Sequence, residues 1–317
     1  MSQGLVDIKN ALLSADNILI VVHTQPDGDT LGSCFALHKA LSSMGKNADV
    51  SCDGAVPGKY MQLFPNDILK TPDTLTKSYD TAIALDCADK ARLGKSLKIF
   101  KKCAQTINID HHITNDKFAM TNYIKEASSV GEIIFELLDI MQAQITESIA
   151  LYLYIAISTD TGNFTYSNTN KNCLAYVSSL VEHIDIRAAA DILFRRRSLV
   201  STKLIGRAIC SLELYSDGKI ASLTITQSDL NQIGATSADC ENIVDYAREI
   251  EQTKVAVFFR EIPHGVKISM RSKDEVDVCA VAQAFGGGGH KNAAGCCISG
   301  KMDVAKKKLL DKLMEIV

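Results

Sequence analysis

Short apolar runs alternate with helix-patterned stretches through the first half of the chain. The runs are NILIVV (17–22), ADVSC (48–52), TAIAL (81–85) and QTINI (105–109). Helical spacing covers 30–44 and 128–142, and a further helix begins with Thr146 as N-cap and carries Ile149, Leu153, Ala156 and Ile157 on one face. Strands alternating with helices predict a mostly parallel sheet with helices packed over it. From about 187 to 208 the pattern becomes strongly helical and basic. An extended pattern follows in LELYSDGKIASLTIT, where Asp217 and Gly218 mark a hairpin turn. A helix near 239–251, the strands KVAVFFR and VKISMRS joined by Pro-His-Gly, the run GGGGH, the strand AAGCCIS and an amphipathic helix over 301–317 complete the chain. These changes predict three segments: a first domain over 1–186, a helical linker over 187–208 and a smaller second domain over 209–317.

With 317 residues, 46% hydrophobic and 22% charged, the chain has the length and composition for two globular domains, each with its own core. A net charge of -3 excludes a generally basic surface of the kind that grips long duplex DNA. A nucleic-acid substrate must therefore be short or held by a local basic pocket. The ten cysteines show no CxxC spacing, and MSQGLVDIKN shows no signal-peptide pattern, so free thiols in the cytoplasm are expected. The most apolar stretch, IALYLYIAI, is far shorter than the roughly 18 to 20 residues of a membrane span.

Candidate chemistry collects where the apolar elements end. His23, Asp27 and Asp29 follow NILIVV, Asp86 follows TAIAL, Asp110, His111 and His112 follow QTINI, and Asp160 ends the helix carrying LYLYIAI. Taken singly, each group has a plain explanation as a capping turn, a loop residue or a helix end. At the carboxyl edge of one parallel sheet they would converge on a single crevice. Carboxylates mixed with imidazoles, and no thiolate, suit manganese or magnesium rather than a structural zinc centre. Aspartates held so close repel one another unless cations intervene, and two divalent ions could clamp an attacking hydroxide and a phosphoryl oxygen.

In combination, HTQPDGD, ALDCAD, Asp110-His111-His112 and STDTG resemble the motifs of the DHH phosphoesterase superfamily. SMRSK (269–273) and GGGGHKNAAG (286–295) resemble its associated C-terminal substrate-binding domain. Within the superfamily, the chain is most similar to the stand-alone nanoRNase and pAp-phosphatase branch. The resemblance implies an α/β fold with the active site in the cleft between two domains, and two metal ions, manganese or magnesium. It implies that His23 and Asp27 hold one ion, that Asp29, His111 and Asp160 hold the other, and that Asp86 bridges them. Asp110 would orient the histidines, and His112 would face the substrate phosphate.

Consecutive glycines let backbone N–H groups approach an anion closely. Gly287, Gly288, Gly289, His290 and Asn292, with Arg271 on a neighbouring strand, therefore make a candidate phosphate grip. By itself a glycine run is more often a flexible connector, and Arg271 alone reads as a solvated strand-edge residue. The Arg195–Arg197 run is expected on a solvated face of the linker helix. The resemblance implies hydrolysis of very short single-stranded oligonucleotides to nucleoside 5′-monophosphates and of pAp to AMP, without a membrane partner, and leaves room for a homodimer. The alternatives are an inorganic pyrophosphatase or cyclic-dinucleotide-linked phosphodiesterase on the same metal half, and a non-catalytic nucleotide-binding module. The glycine motif disfavours the first pair, because pyrophosphatases of this superfamily carry a lysine- and arginine-rich motif instead, and a complete ligand set disfavours the module.

Overall fold

A computed structural model of the chain describes residues 2–65, 67–273 and 275–317; the side chain of His290 lies outside the description. The chain divides into two compact units, 1–196 and 197–317. In chain order the first unit runs α1 (Gln3–Ser14), β1 (Asn17–Val22), α2 (Gly28–Ser43), β2 (Asn47–Cys52), β3 (Leu69–Lys70), β4 (Thr81–Leu85), α3 (Ser96–Phe100), β5 (Gln105–Asp110), β6 (Thr121–Ile124), α4 (Val130–Ile140), α5 (Glu147–Asp160), α6 (Lys171–Leu180) and α7 (Ile186–Ala190).

Its six strands are ordered β3-β2-β1-β4-β5-β6, and all of their pairings are parallel. Ile18, Ile20 and Val22 of β1 enter the large core with α1, α2, α4 and α5, while Leu19 and Val21 enter a smaller core with Leu93 and Phe100 on the opposite face. A strand buried on both faces is apolar at every position, which is why NILIVV shows no alternation. The chain leaves β1 for β2 on one side and reaches β4 on the other. This order reverses direction between β1 and β4, and the crevice beyond such a reversal is where open α/β sheets bind ligands.

Helix α5 departs from its expected one-sided pattern. Ile149, Ala150 and every residue from Tyr152 to Ser158 are buried, so the helix is enclosed rather than amphipathic. Glycines allow α2 to approach it closely. A Cβ at Gly28 would lie 2.2 Å from Thr159 Oγ1, and one at Gly32 would lie 2.3 Å from the Tyr152 carbonyl oxygen. This contact brings the amino end of α2, with Asp27 and Asp29, against the carboxyl end of α5, with Asp160.

The second unit contains α8 (Leu199–Cys210), β7 (Glu213–Tyr215), β8 (Ile220–Ile225), α9 (Gln227–Ile233), α10 (Ile243–Arg248), β9 (Val255–Ile262), β10 (Gly265–Ser272), α11 (Val278–Ala284), β11 (Gly288–His290), β12 (Ala293–Ser299) and α12 (Met302–Met314). Its sheet is ordered β11-β12-β10-β9-β8-β7, with β8 and β9 parallel and the remaining pairs antiparallel. One core joins the sheet to α11 and α12, and another joins it to α8 and α10. Within the segment read as a linker, Leu204 and Ala208 of α8 are buried in this second core. The arginine run lies off any regular α-helix. Arg195 ends a five-residue π turn (Asp191–Arg195), Arg196 is extended, and all three arginines are exposed.

Candidate metal centre

Each sheet strand of the crevice delivers its polar group at its carboxyl end. His23 follows β1 and is fully buried. Asp27 is the N-cap of α2, accepting from the Thr30 amide, and Asp29 lies in the first turn. Asp86 follows β4 in a left-handed conformation, φ 56°, which costs a non-glycine residue roughly 1–2 kcal/mol and signals that its surroundings hold it there. Its amide continues the sheet ladder to the Ile109 carbonyl, and Thr30 Oγ1 donates to its Oδ2 at 2.5 Å.

The polar atoms converge in three groups: His23, Asp27 and Asp86; Asp29, His111 and Asp160; and Asp86, Asp110, His111 and His112. Within each group the candidate ligand atoms lie within 4.8 Å of one another. Asp86 belongs to both ends of the cluster. Its Oδ2 lies 3.6 Å from His23 Nε2, and its Oδ1 lies 3.6 Å from both His111 Nε2 and His112 Nδ1. Oδ1 is buried and has no hydrogen-bond partner among the described residues. A buried, charged oxygen without a partner is costly, and separations of 3.6 Å are too long for hydrogen bonds. The donor set therefore fits a bound cation.

Asp29 is also tied to the fold. Its carboxylate accepts from the Val130 and Gly131 amides at 2.7 and 2.9 Å and from Ser33 Oγ at 3.1 Å, so it fills the amino end of α4 while facing the cluster. Asp110 is fully buried, and its Oδ1 lies 2.7 Å from His112 Nδ1 and accepts from the His111 amide. Asn115 donates to the other oxygen at 2.6 Å. His111 Nδ1 lies 3.2 Å from the Ala127 carbonyl oxygen, leaving Nε2 toward Asp86 and Asp160.

The electrostatics follow from this crowding. Burial, reinforced by Asp86, Asp160 and Asp27, holds the Asp29 pKa well above the usual carboxylate range. Burial also pushes Asp160 up to about 7, with Asp86 and Asp27 adding to it. Asp27 is raised by crowding and by Asp86, although its side chain remains 55% exposed. For Asp86, burial raises the pKa, but His23, His111 and His112 outweigh it and the net shift is downward. The hydrogen bond to Asp110 raises the His112 pKa.

Arg92 escaped the sequence reading. It sits in a short turn, Lys90–Leu93, capped by the Asp89 side chain, with one guanidinium nitrogen 3.1 Å from His23 Nε2. Its position six residues after Asp86 was the available signal, but a lone arginine in a loop carries little weight.

In the second unit, the Asn292 side chain donates to Ser272 Oγ, and the Asn292 backbone carbonyl accepts from the Ser272 amide. Ala293 pairs with both His290 and Arg271, so the glycine run and Arg271 lie at one end of the same sheet. Gly288 and Gly289 form part of an edge strand instead of an open loop. A Cβ at Gly287 would lie 2.2 Å from the Gly295 carbonyl oxygen, and one at Gly289 would lie 2.4 Å from that of Ala293. Close strand approach therefore accounts for these two glycines; Gly288 faces open space. Arg271 also lines a pocket of about 220 Å³ with Arg260, Lys267, Ser269, Phe258 and Asn242. Arg260 and Lys267 were missed. The signal for Lys267 was the alternation Lys267, Ser269, Arg271 along β10, whereas Arg260 lies opposite Lys267 on β9 only through strand pairing.

Residues 17–157 match the DHH family, N-terminal domain, and residues 217–317 match the DHHA1 domain. The bifunctional oligoribonuclease and PAP phosphatase NrnA of Thermus thermophilus is 30% identical over 304 residues, covering 94% of this chain and 89% of that protein. The protein of the same name from Mycoplasma genitalium is 28% identical, covering 93% of each. The crystal structure of an exopolyphosphatase-related protein from Bacteroides fragilis superposes with a TM-score of 0.93 at 26% identity, covering 99% of this chain and 96% of that one.

Proposed function

The chain belongs to the DHH family, and from that premise we propose that it is a metal-dependent phosphoesterase that hydrolyses very short oligonucleotides to nucleoside 5′-monophosphates and pAp to AMP. The observation that carries this reading is the carboxylate of Asp86, with one oxygen toward His23 and the other, buried and without a hydrogen-bond partner among the described residues, toward His111 and His112. Relatives named for both activities match along nearly their whole length and support the substrate class.

In this proposal His23 and Asp27 form one ligand group, Asp29, His111 and Asp160 form a second, and Asp86 is shared. Two divalent cations, manganese or magnesium, would supply an activated water and neutralise phosphoryl charge. Asp110 fixes the His112 ring through Nδ1, so that the imidazole can place positive charge against a substrate phosphate. The pocket of Arg260, Lys267 and Arg271, together with the glycine strand and Asn292, is proposed to anchor the remainder of the substrate through its phosphates. The side chain of His290, also assigned to this grip, lies outside the described residues. Free cysteines fit a cytoplasmic setting, and no helix among the described residues is long and apolar enough to cross a membrane.

The test is a product time course with manganese on 5′-labelled dinucleotides to decanucleotides, run beside pAp and pyrophosphate. Rapid turnover of the shortest oligonucleotides and of pAp is expected. Preferential turnover of pyrophosphate would overturn the proposal. Arg271→Ala should lower turnover of the anchored substrates by about one to two orders of magnitude, since a charge-assisted phosphate contact contributes roughly 1.5–3 kcal/mol. Hydrolysis of bis-p-nitrophenyl phosphate should fall much less.

A further inference from the structure

We propose that Arg92, whose guanidinium reaches the crevice beside His23, is a substrate ligand that receives a phosphate oxygen. The inference rests on the phosphoesterase reading.

The geometry begins with the backbone. The Asp89 side chain accepts from the Ala91 and Arg92 amides, and the Arg92 carbonyl accepts from the Thr24 amide at 2.8 Å. Gly94 closes the turn in a left-handed conformation, φ 54°, where a Cβ would lie 2.5 Å from Asp53 Oδ2 and 2.6 Å from Thr24 Cγ2. The turn is thus locked to the loop that follows His23, and the half-buried Arg92 side chain is delivered to the crevice.

Chemistry narrows its role. A guanidinium donates hydrogen bonds and accepts none, so the 3.1 Å contact requires the His23 tautomer with its lone pair on Nε2 and its proton on Nδ1. The Gln25 amide 3.3 Å from Nδ1 is then not hydrogen-bonded to the ring. Nε2 also faces Asp27 at 3.8 Å and Asp86 at 3.6 Å. A cation ligated by His23 in this group would need the same lone pair, so Arg92 and the cation cannot both engage it. Arginine cannot discharge itself by losing a proton. Once the carboxylates are neutralised by bound cations, the guanidinium has lost its acceptor and much of its attractive field. An incoming phosphate supplies both, in the planar geometry that arginine matches with two parallel N–H donors.

A mere counter-ion for the acid cluster would have little effect on anion binding at saturating metal, and this separates the two roles. AMP binding would be measured by calorimetry on manganese-saturated wild type, Arg92→Gln and Arg92→Lys, with manganese stoichiometry and melting curves recorded alongside. Arg92→Gln should bind AMP at least about tenfold more weakly, in line with loss of one charge-assisted contact. Arg92→Lys should recover part of that loss, and manganese stoichiometry should be unchanged in both. Wild-type AMP affinity in Arg92→Gln, or loss of manganese from it, would overturn the role; should that variant not fold, wild-type affinity in Arg92→Lys would do so, because an ammonium cannot replace a two-pronged contact without cost. If wild type neither binds AMP nor hydrolyses pAp, the phosphoesterase reading fails together with this inference. If wild type does both and the variants match it, only Arg92 falls.

Discussion

Asp49 and Asp160 are carboxylates of the same unit in contrasting settings. Asp49, on β2, meets Lys70 Nζ at 2.6 Å, Lys77 Nζ at 3.2 Å and the Tyr79 hydroxyl at 2.8 Å. Burial pushes its pKa up, but these donors outweigh burial and leave it below the ordinary range. Asp160, at the end of α5, is raised to about 7 by burial and by neighbouring aspartates. At the first site the chain supplies its own cations. At the second it places acid against acid, an arrangement that is favourable only when cations come from outside. The contrast distinguishes a carboxylate that holds the fold from one proposed to hold a ligand.

The strongest way to break this contrast is to remove Asp86, which touches both ligand groups. Asp86→Ala should lose about a thousandfold or more of turnover, since both groups lose a ligand, while circular dichroism shows the fold retained. More than a tenth of wild-type turnover at saturating manganese would sink the shared-ligand assignment. The histidines sharpen the picture at the next level. His111→Ala should lose bound metal, whereas His112→Ala should keep its metal and lose roughly ten- to a hundredfold in turnover. Equal metal loss from both variants would refute that division of roles.

The remaining two predictions have opposite signs. Asp49 has a depressed folded pKa, so its contribution is present above the unfolded value of about 3.9 and is lost as pH falls through the folded value. Asp49→Asn should therefore destabilise by about 1–2 kcal/mol at pH 7, a discounted figure because both lysines are partly exposed, and the difference should close in urea titrations below about pH 4. Asp160 has a raised folded pKa, so the metal-free wild type should lose stability as pH rises from about 4 to about 7. Asp160→Asn should remove that slope and melt a few degrees higher than wild type at pH 8 without metal. The effect is the smallest because the side chain is 32% exposed. An unchanged slope in metal-free Asp160→Asn would show that this carboxylate is not under strain.

Much of this was legible in the chain because apolar runs and polar termini are local signals. The runs at 17–22, 81–85 and 105–109 are β1, β4 and the core of β5, and Thr146 caps α5 as expected. Other elements left weaker traces. Strand β6, TNYI, is a half-buried edge with no apolar run, and β3 has only two residues. Helix α1 carries Leu5, Ile8 and Leu12 at helical spacing, a pattern of only three apolar positions in a short segment. Arg92 left only a weak local trace, its place six residues after Asp86, since its meaning comes from a nitrogen 69 positions earlier in the chain.

By itself, the sequence determined which residue types stand at the ends of buried elements, because alternation, capping and apolar length depend on near neighbours. The acid cluster's composition followed from that. Only the tertiary structure decided the strand order that places the ends of β1 and β4 side by side, and the glycine contacts that press α2 against α5. These are relations between residues far apart in the chain. They set the distances at which carboxylates, imidazoles and one guanidinium share a low-dielectric crevice, and those distances decide which charges the chain neutralises itself and which await a ligand.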